Sequence, residues 1–172
     1  MTAAAHAGQR RMIGRHVIAA LVWALLAARL AAAPSGREVL GQYGRWGAFR
    51  DRSPLRCFAI AEPHDRSDAR PFVALATWPG TPLRGQLYVR LRRDAREAEV
   101  MVAGLRVPLA VRGRDAWTRD PRDDRRLLVL LRQGGRLEVR ARDARARIST
   151  DLYLLEGAAS AIDAAAIGCL AR

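Results

Sequence analysis

The chain has 172 residues, of which 50% are hydrophobic and 27% charged, so it is neither disordered throughout nor embedded wholly in a membrane. Its 30 basic and 17 acidic side chains give a formal net charge of +13. Every basic residue is an arginine, which excludes Schiff-base catalysis and a lysine general base.

Residues 1–33 have the three parts of a secretory signal peptide. A stretch with arginines and no acids comes first, an uncharged apolar run follows at 17–28, and small residues occupy 31–33. As a helix, the apolar run would be about 18 Å long, too short for a hydrocarbon core of about 30 Å. The pattern predicts cleavage near residue 33 and a single mature domain over 34–172, in the periplasm or secreted. The alternative is an uncleaved segment that anchors the protein in the inner membrane.

Export would change the chemistry available to the protein. Removal of residues 1–33 takes away four arginines and no acid, so the net charge falls from +13 to +9. Two of the three histidines are removed as well, which leaves His64 alone. One histidine without any lysine is a poor basis for acid–base catalysis near neutral pH, and this favours a non-catalytic protein.

Much of the mature chain alternates between apolar and polar residues, as strands with one buried face do. In segment 86–92, for example, Leu87, Val89 and Leu91 would face the core. Pro108 indicates that its strand lies at a sheet edge or contains a bulge. The segments predicted as strands are 44–50, 55–61, 71–78, 86–92, 97–103, 106–111, 136–142 and 146–155. Together they predict a mainly β, sandwich-like domain.

A mid-chain helix is predicted over 121–133. Asp120 is a good N-cap residue, and Pro121 suits the first helical position. The apolar residues that follow would form the buried side of the helix. The alternative is a strand over 127–132 that turns through the next two glycines.

A second helix, made of small residues, is predicted over 157–169. Its apolar positions Ala158, Ile162 and Ala165 repeat with helical spacing and share one face with Cys169. That face would pack against the sheet, so the cysteine would point toward the core.

Cys57 and Cys169 are the two cysteines of the chain, and both would remain after signal cleavage. An even number of cysteines in an exported protein favours a disulfide. Such a bridge would close a loop of about a hundred residues, for which the chain-entropy model gives about 4–5 kcal/mol of stability. The alternatives are two unpaired buried cysteines or a catalytic thiol that has only His64 as its base.

Short motifs are spread along the mature chain. They are Tyr-Gly-Arg-Trp-Gly-Ala-Phe at 43–49, Arg-Cys-Phe-Ala at 56–59, residues 127–134, residues 136–140, and Leu-Leu-Glu-Gly-Ala-Ala-Ser-Ala-Ile at 154–162. Together they resemble the invasion-associated locus B family of exported bacterial proteins. The resemblance implies a signal peptide, a single β-rich domain and an envelope protein that in some members is linked to host-cell invasion. It supplies no catalytic residues.

The net charge of +9 on the mature chain suggests an affinity for anions. The candidate anion-binding residues are Arg90, Arg92, Arg140 and Arg142, because each pair points away from the core in its predicted strand. Two such strands side by side would form a basic surface for anionic lipid, lipopolysaccharide or another envelope or host component, with peripheral membrane contact as one form of binding. Export argues against nucleic acid. The alternative is that the arginines reflect the composition of a GC-rich genome and are ordinary surface residues.

A further hypothesis is a periplasmic hydrolase that uses carboxylates, two of which would then converge in one concave pocket. The acids concerned are Asp65, Asp68, Asp120, Asp123 and Asp124. His64 lies among acids on a polar loop without a second cluster of ligands, so no metal and no other cofactor is predicted. The favoured hypothesis is an exported, non-catalytic protein that acts by binding through its surface.

Overall fold

The computed structural model of the chain describes residues 36–65 and 67–170, so the predicted signal peptide lies outside the described residues. Within them the chain forms ten strands and two helices. The strands are β1 Arg37–Tyr43, β2 Trp46–Arg52, β3 Leu55–Ala61, β4 Phe72–Thr77, β5 Gln86–Arg90, β6 Glu97–Val102, β7 Leu105–Arg112, β8 Asp115–Thr118, β9 Arg136–Arg142 and β10 Ile148–Leu154. The helices are α1 Pro121–Arg132 and α2 Ala158–Leu170.

All the strands pair antiparallel and form one curled sheet in the order β1-β2-β3-β4-β5-β8-β7-β6-β9-β10. Consecutive hairpins build the first five strands. The next three run back, so that β8 pairs with β5 and β6 pairs with β9. This confirms the predicted mainly β fold with one mid-chain and one C-terminal helix. Neither described helix has the length and apolar character needed to span a membrane.

The strand that contains Pro108 divides its pairing between two neighbours. Residues 105–108 of β7 pair with β6, and residues 109–112 pair with β8. Pro108 therefore lies at a local edge, paired with β6 on one side only, which agrees with the edge position that the sequence predicts, although β7 as a whole lies inside the sheet order. Proline is tolerated there because it lies at the changeover, where one side of the strand has no partner for an N–H to reach.

Inward-facing residues of the strands form one hydrophobic core with both helices. Leu87, Val89 and Leu91 are each at most 1% exposed, as their alternation predicts. Trp46 is also buried, and its indole N–H donates a hydrogen bond to the Leu154 carbonyl oxygen at 2.9 Å. The curl of the sheet thus brings the start of β2 to the end of β10.

The first turn of α1 forms as predicted. The Asp120 carboxylate accepts a hydrogen bond from the Arg122 N–H at 2.8 Å, and Pro121 lies at the start of the helix. Because a capped helix covers this segment, the alternative strand over 127–132 is excluded.

The buried Asp124 fastens α1 to the sheet. Its carboxylate accepts hydrogen bonds from the Leu87 N–H of β5, at 2.9 Å, and from the Thr118 hydroxyl of β8. Burial raises the pKa of Asp124 above its ordinary value. This carboxylate therefore supports the position of the helix.

α2 packs on β1, β2 and β3, and its predicted buried face is confirmed. The predicted disulfide is present between Cys57 of β3 and Cys169 of α2. The helix follows Gly157, which has a φ of +85° and where an added Cβ would lie 2.0 Å from the Tyr43 carbonyl oxygen. Glycine is required at this position because the chain enters α2 directly over the end of β1.

Candidate anion-binding groove

A basic groove lies on the outer side of β6, β7 and β9, on the face opposite the hydrophobic core. Register places Glu97 opposite Arg142 and Glu99 opposite Arg140 on the neighbouring strands β6 and β9. Because alternate residues share a face, all four of these side chains point outward. Arg106 of β7 points to the same side, next to Glu99.

The groove has a volume of about 370 Å³, and cationic side chains outnumber the acids around it. Its five arginines are Arg96, Arg106, Arg119, Arg140 and Arg142, and its two acids are Glu97 and Glu99. All five arginines are exposed. Three positive charges are therefore left without a compensating acid in the groove.

The two glutamates hold only part of this charge. The Glu99 carboxylate accepts two hydrogen bonds from Arg106, at 2.9 and 3.1 Å, whereas Glu97 lies 3.9 Å from the Arg142 guanidinium. Arg96, Arg119 and Arg140 form no ion pair with any residue that the structure describes. The Nη2 of Arg119 donates a 3.4 Å hydrogen bond to the Leu109 carbonyl oxygen, so the guanidinium groups of Arg96 and Arg140 are the most available to a ligand.

The structure brings Arg140 and Arg142 together, but it places Arg90 elsewhere. Three strands separate β5, which carries Arg90, from β9. Arg90 lies 2.6 Å from Asp115, and the Tyr88 hydroxyl donates to the same carboxylate at 2.5 Å. The hydrogen bonds from Tyr88 and Arg90 lower the pKa of Asp115. Arg90 is thus already neutralised by a nearby acid.

Arg92 also has a structural partner. Its Nε donates to the carboxylate of Asp151, which is 3% exposed, and its Nη2 donates to the Asp65 carbonyl oxygen at 3.3 Å. The β5 arginines and the β9 arginines therefore do not form one basic surface.

The carboxylates of the hydrolase hypothesis occupy different environments. Asp120 caps α1, and Asp124 is buried against the sheet. Asp68 lines a concavity of about 620 Å³ together with Glu62, which the hypothesis did not include. Among residues 36–65 and 67–170, no three His, Cys, Asp or Glu side chains are close enough together to hold a metal ion, and His64 is exposed.

The sequence pattern does not single out Arg106 and Arg119 as members of the groove. Arg106 alternates outward in its predicted strand, so it could have been found once β7 was paired with β6. Arg119 follows β8, a strand that the pattern does not predict. Comparison with models of known families, with curated proteins and with solved structures gives no match for this chain.

Proposed function

We propose that this chain is an exported, non-catalytic protein of the bacterial envelope that binds anionic groups in the arginine groove. The observation that carries the proposal is the set of five arginines around two glutamates, with Arg96 and Arg140 left without an acidic partner in the described residues. The predicted signal peptide and the resemblance to the invasion-associated locus B family support the location. The arginine groove supports binding as the mode of action.

Phosphate groups are the anions that suit this site best. A guanidinium presents a planar pair of N–H donors that matches two phosphate oxygens, and arginine is therefore favoured where phosphate is recognised. Arg140 and Arg142 are two residues apart on one strand face, which corresponds to about 7 Å. This spacing allows two arginines to contact one polyanionic headgroup.

The groove is open, so the phosphate can belong to a large assembly. We therefore propose anionic lipid headgroups or lipopolysaccharide phosphates at the membrane surface as the ligand class. Unpaired surface arginines near such a surface contribute about 1 kcal/mol each, and salt screens this attraction. The hydrolase hypothesis has less support, because Asp120 caps α1 and Asp124 joins that helix to the sheet.

Co-sedimentation with lipid vesicles tests the proposal. The purified protein should bind phosphatidylcholine vesicles that contain phosphatidylglycerol, should not bind phosphatidylcholine alone, and should be released by high salt. The double variant R96A/R140A should bind about thirtyfold more weakly, from roughly 1 kcal/mol per arginine.

The matched control is R45A/R145A, which removes the same charge from exposed positions outside the groove. A small effect of the control and a large effect of R96A/R140A support the groove. Equal losses in the two variants would mean that binding depends on net charge alone. Absence of binding to any anionic vesicle would end the proposal.

A further inference from the structure

A second cavity lies where α1 and α2 approach each other over β3 and β4. It has a volume of about 770 Å³, within the range of roughly 300–1,000 Å³ that small-molecule sites occupy. Leu75, Leu128 and Ile162 contribute to its wall, as does the Cys57–Cys169 disulfide. The wall is thus mainly apolar and reaches residues of the hydrophobic core.

The polar groups around this cleft are few, and most have a partner. Arg132 of α1 is held by Asp163 of α2, with its Nη2 2.7 Å from the carboxylate. The Thr77 hydroxyl accepts a hydrogen bond from the Gly85 N–H at 2.9 Å. Arg84 is exposed and has no acidic partner within the described part of the chain. Among the described residues that line the cleft, the one unneutralised charge is therefore the cation of Arg84.

We propose that the cleft binds one long-chain fatty acid. Its hydrocarbon chain would lie against the leucine and isoleucine wall, and its carboxylate would pair with Arg84. An apolar wall with a single free guanidinium is complementary to an aliphatic chain that ends in one negative charge. None of the groove arginines lines this cleft, so the site does not depend on the phosphate-binding proposal.

Fluorescence titration tests this site directly. The full chain with its disulfide intact is titrated with dansyl-undecanoic acid, and the bound probe is displaced with palmitic acid. We expect saturable binding of one probe per chain and competition by palmitate. If the probe does not bind, or if palmitate does not displace it, the proposal is overturned.

Variants that obstruct the cleft test where the hydrocarbon chain of the fatty acid binds. Ala166 is exposed and lines the cleft, so Ala166→Trp should obstruct the cavity without entering the core. We expect at least about tenfold weaker binding of the probe, since an apolar pocket of this kind owes its affinity to buried apolar area. The matched control is Ile167→Trp, at an exposed position of the same helix outside the cleft. Equal affinities of the two variants, with circular dichroism unchanged, would overturn the location.

Removal of the cation tests the headgroup. Arg84→Ala should weaken palmitate binding about threefold to tenfold, as expected for a solvent-accessible charge-assisted contact. It should leave hexadecanol binding unchanged, and Arg125→Ala, at an exposed position outside the cleft, should leave both unchanged. Equal binding of palmitate to wild type and Arg84→Ala would overturn the carboxylate assignment. Tighter binding of lysophosphatidylglycerol than of palmitate would overturn the fatty-acid assignment.

Discussion

Arg37 and Arg56 of the first three strands differ from Arg96 and Arg140 of the groove in whether an acid already holds them. On the outer face of the first three strands, Arg37 and Arg56 share the carboxylate of Asp51 at 2.7 and 2.5 Å. Both guanidinium groups also lie over the ring of Phe58, 5.1 and 4.8 Å from its centroid. These two arginines shield an aromatic side chain that would otherwise be exposed, and their charge is already used within the fold.

In the groove, two arginines lack this support, although Arg106 is held by Glu99. Arg96 and Arg140 have no ion pair with a described residue, and no aromatic ring lines the groove beside them. An arginine that is held by an acid contributes to stability, whereas an arginine without one contributes to the surrounding potential. The high net charge of the chain therefore does not by itself indicate which arginines can bind a ligand.

The largest expected effect concerns the disulfide that joins α2 to β3, in the region where the arginines are held by acids. Cys57→Ala combined with Cys169→Ala should lower the free energy of unfolding by about 4–5 kcal/mol, because the bridge joins residues 112 apart. Urea denaturation followed by circular dichroism measures the change. A loss below about 1 kcal/mol would show that the packing of α2 alone is sufficient.

Removal of Asp51, which holds both Arg37 and Arg56, should have the next largest effect on the free energy of unfolding. Asp51→Ala leaves Arg37 and Arg56 without their common partner and should cost about 1–2 kcal/mol. Glu97→Ala is the matched variant in the groove, where the ion pair with Arg142 is long and exposed, and it should cost less than about 0.5 kcal/mol. Similar losses in the same denaturation assay would contradict the distinction between the two regions.

Low pH should also weaken the ion pairs that Asp51 makes with Arg37 and Arg56. The hydrogen bonds from Arg37 and Arg56 lower the pKa of Asp51 below its ordinary value of 3.8. Such a group contributes stability above its unfolded pKa and loses that contribution as the pH falls through its folded pKa. The free energy of unfolding should therefore decrease less steeply below pH 3.8 in Asp51→Asn than in wild type, as urea denaturation across this range would measure.

Asp124→Asn provides the control for this pH experiment. Burial raises the pKa of Asp124 above 3.8, so in wild type this group makes the protein less stable as the pH rises from 3.8 to the folded pKa. The asparagine variant should lose that decrease, an effect of opposite sign to that at Asp51. Identical pH profiles for both variants would mean that neither carboxylate titrates differently in the folded protein.

The smallest expected change in stability belongs to the groove itself. R96A/R140A should unfold within about 0.5 kcal/mol of wild type, because both side chains are exposed and make no ion pair with the described residues. Thermal and urea unfolding measure this. A loss above about 1 kcal/mol would show that these arginines have a structural role that would weaken the case for a ligand.

The local sequence pattern was sufficient to predict most of the strands and both helices. Strict alternation predicted β9 and its buried residues, and the cap at Asp120 predicted the start of α1. Two strands were not predicted. A register shift between Val39 and Gly41 interrupts the alternation of β1, and β8 has only four residues. Both lack the length of regular pattern that a period of two needs to be recognised.

The site was predictable only in part, for a different reason. Alternation indicates that Arg140 and Arg142 face outward, but it also indicates the same for Arg90. The acid that neutralises Arg90, Asp115, is 25 residues away along the chain. That partnership depends on the pairing of β5 with β8, which the sequence of either strand does not specify. Whether an outward-facing arginine is free to bind a ligand thus depends on which strands are neighbours in the sheet.

The position of the disulfide has a consequence for how the chain matures. Cys57 precedes seven of the ten strands, and Cys169 follows all of them. The bond can therefore form only after every strand has been synthesised. Because the chain has two cysteines, its one intramolecular pairing is the native one, and oxidation within the chain cannot produce a scrambled isomer. Loss of free thiol in a monomer would thus report that a molecule has been made at least as far as Cys169.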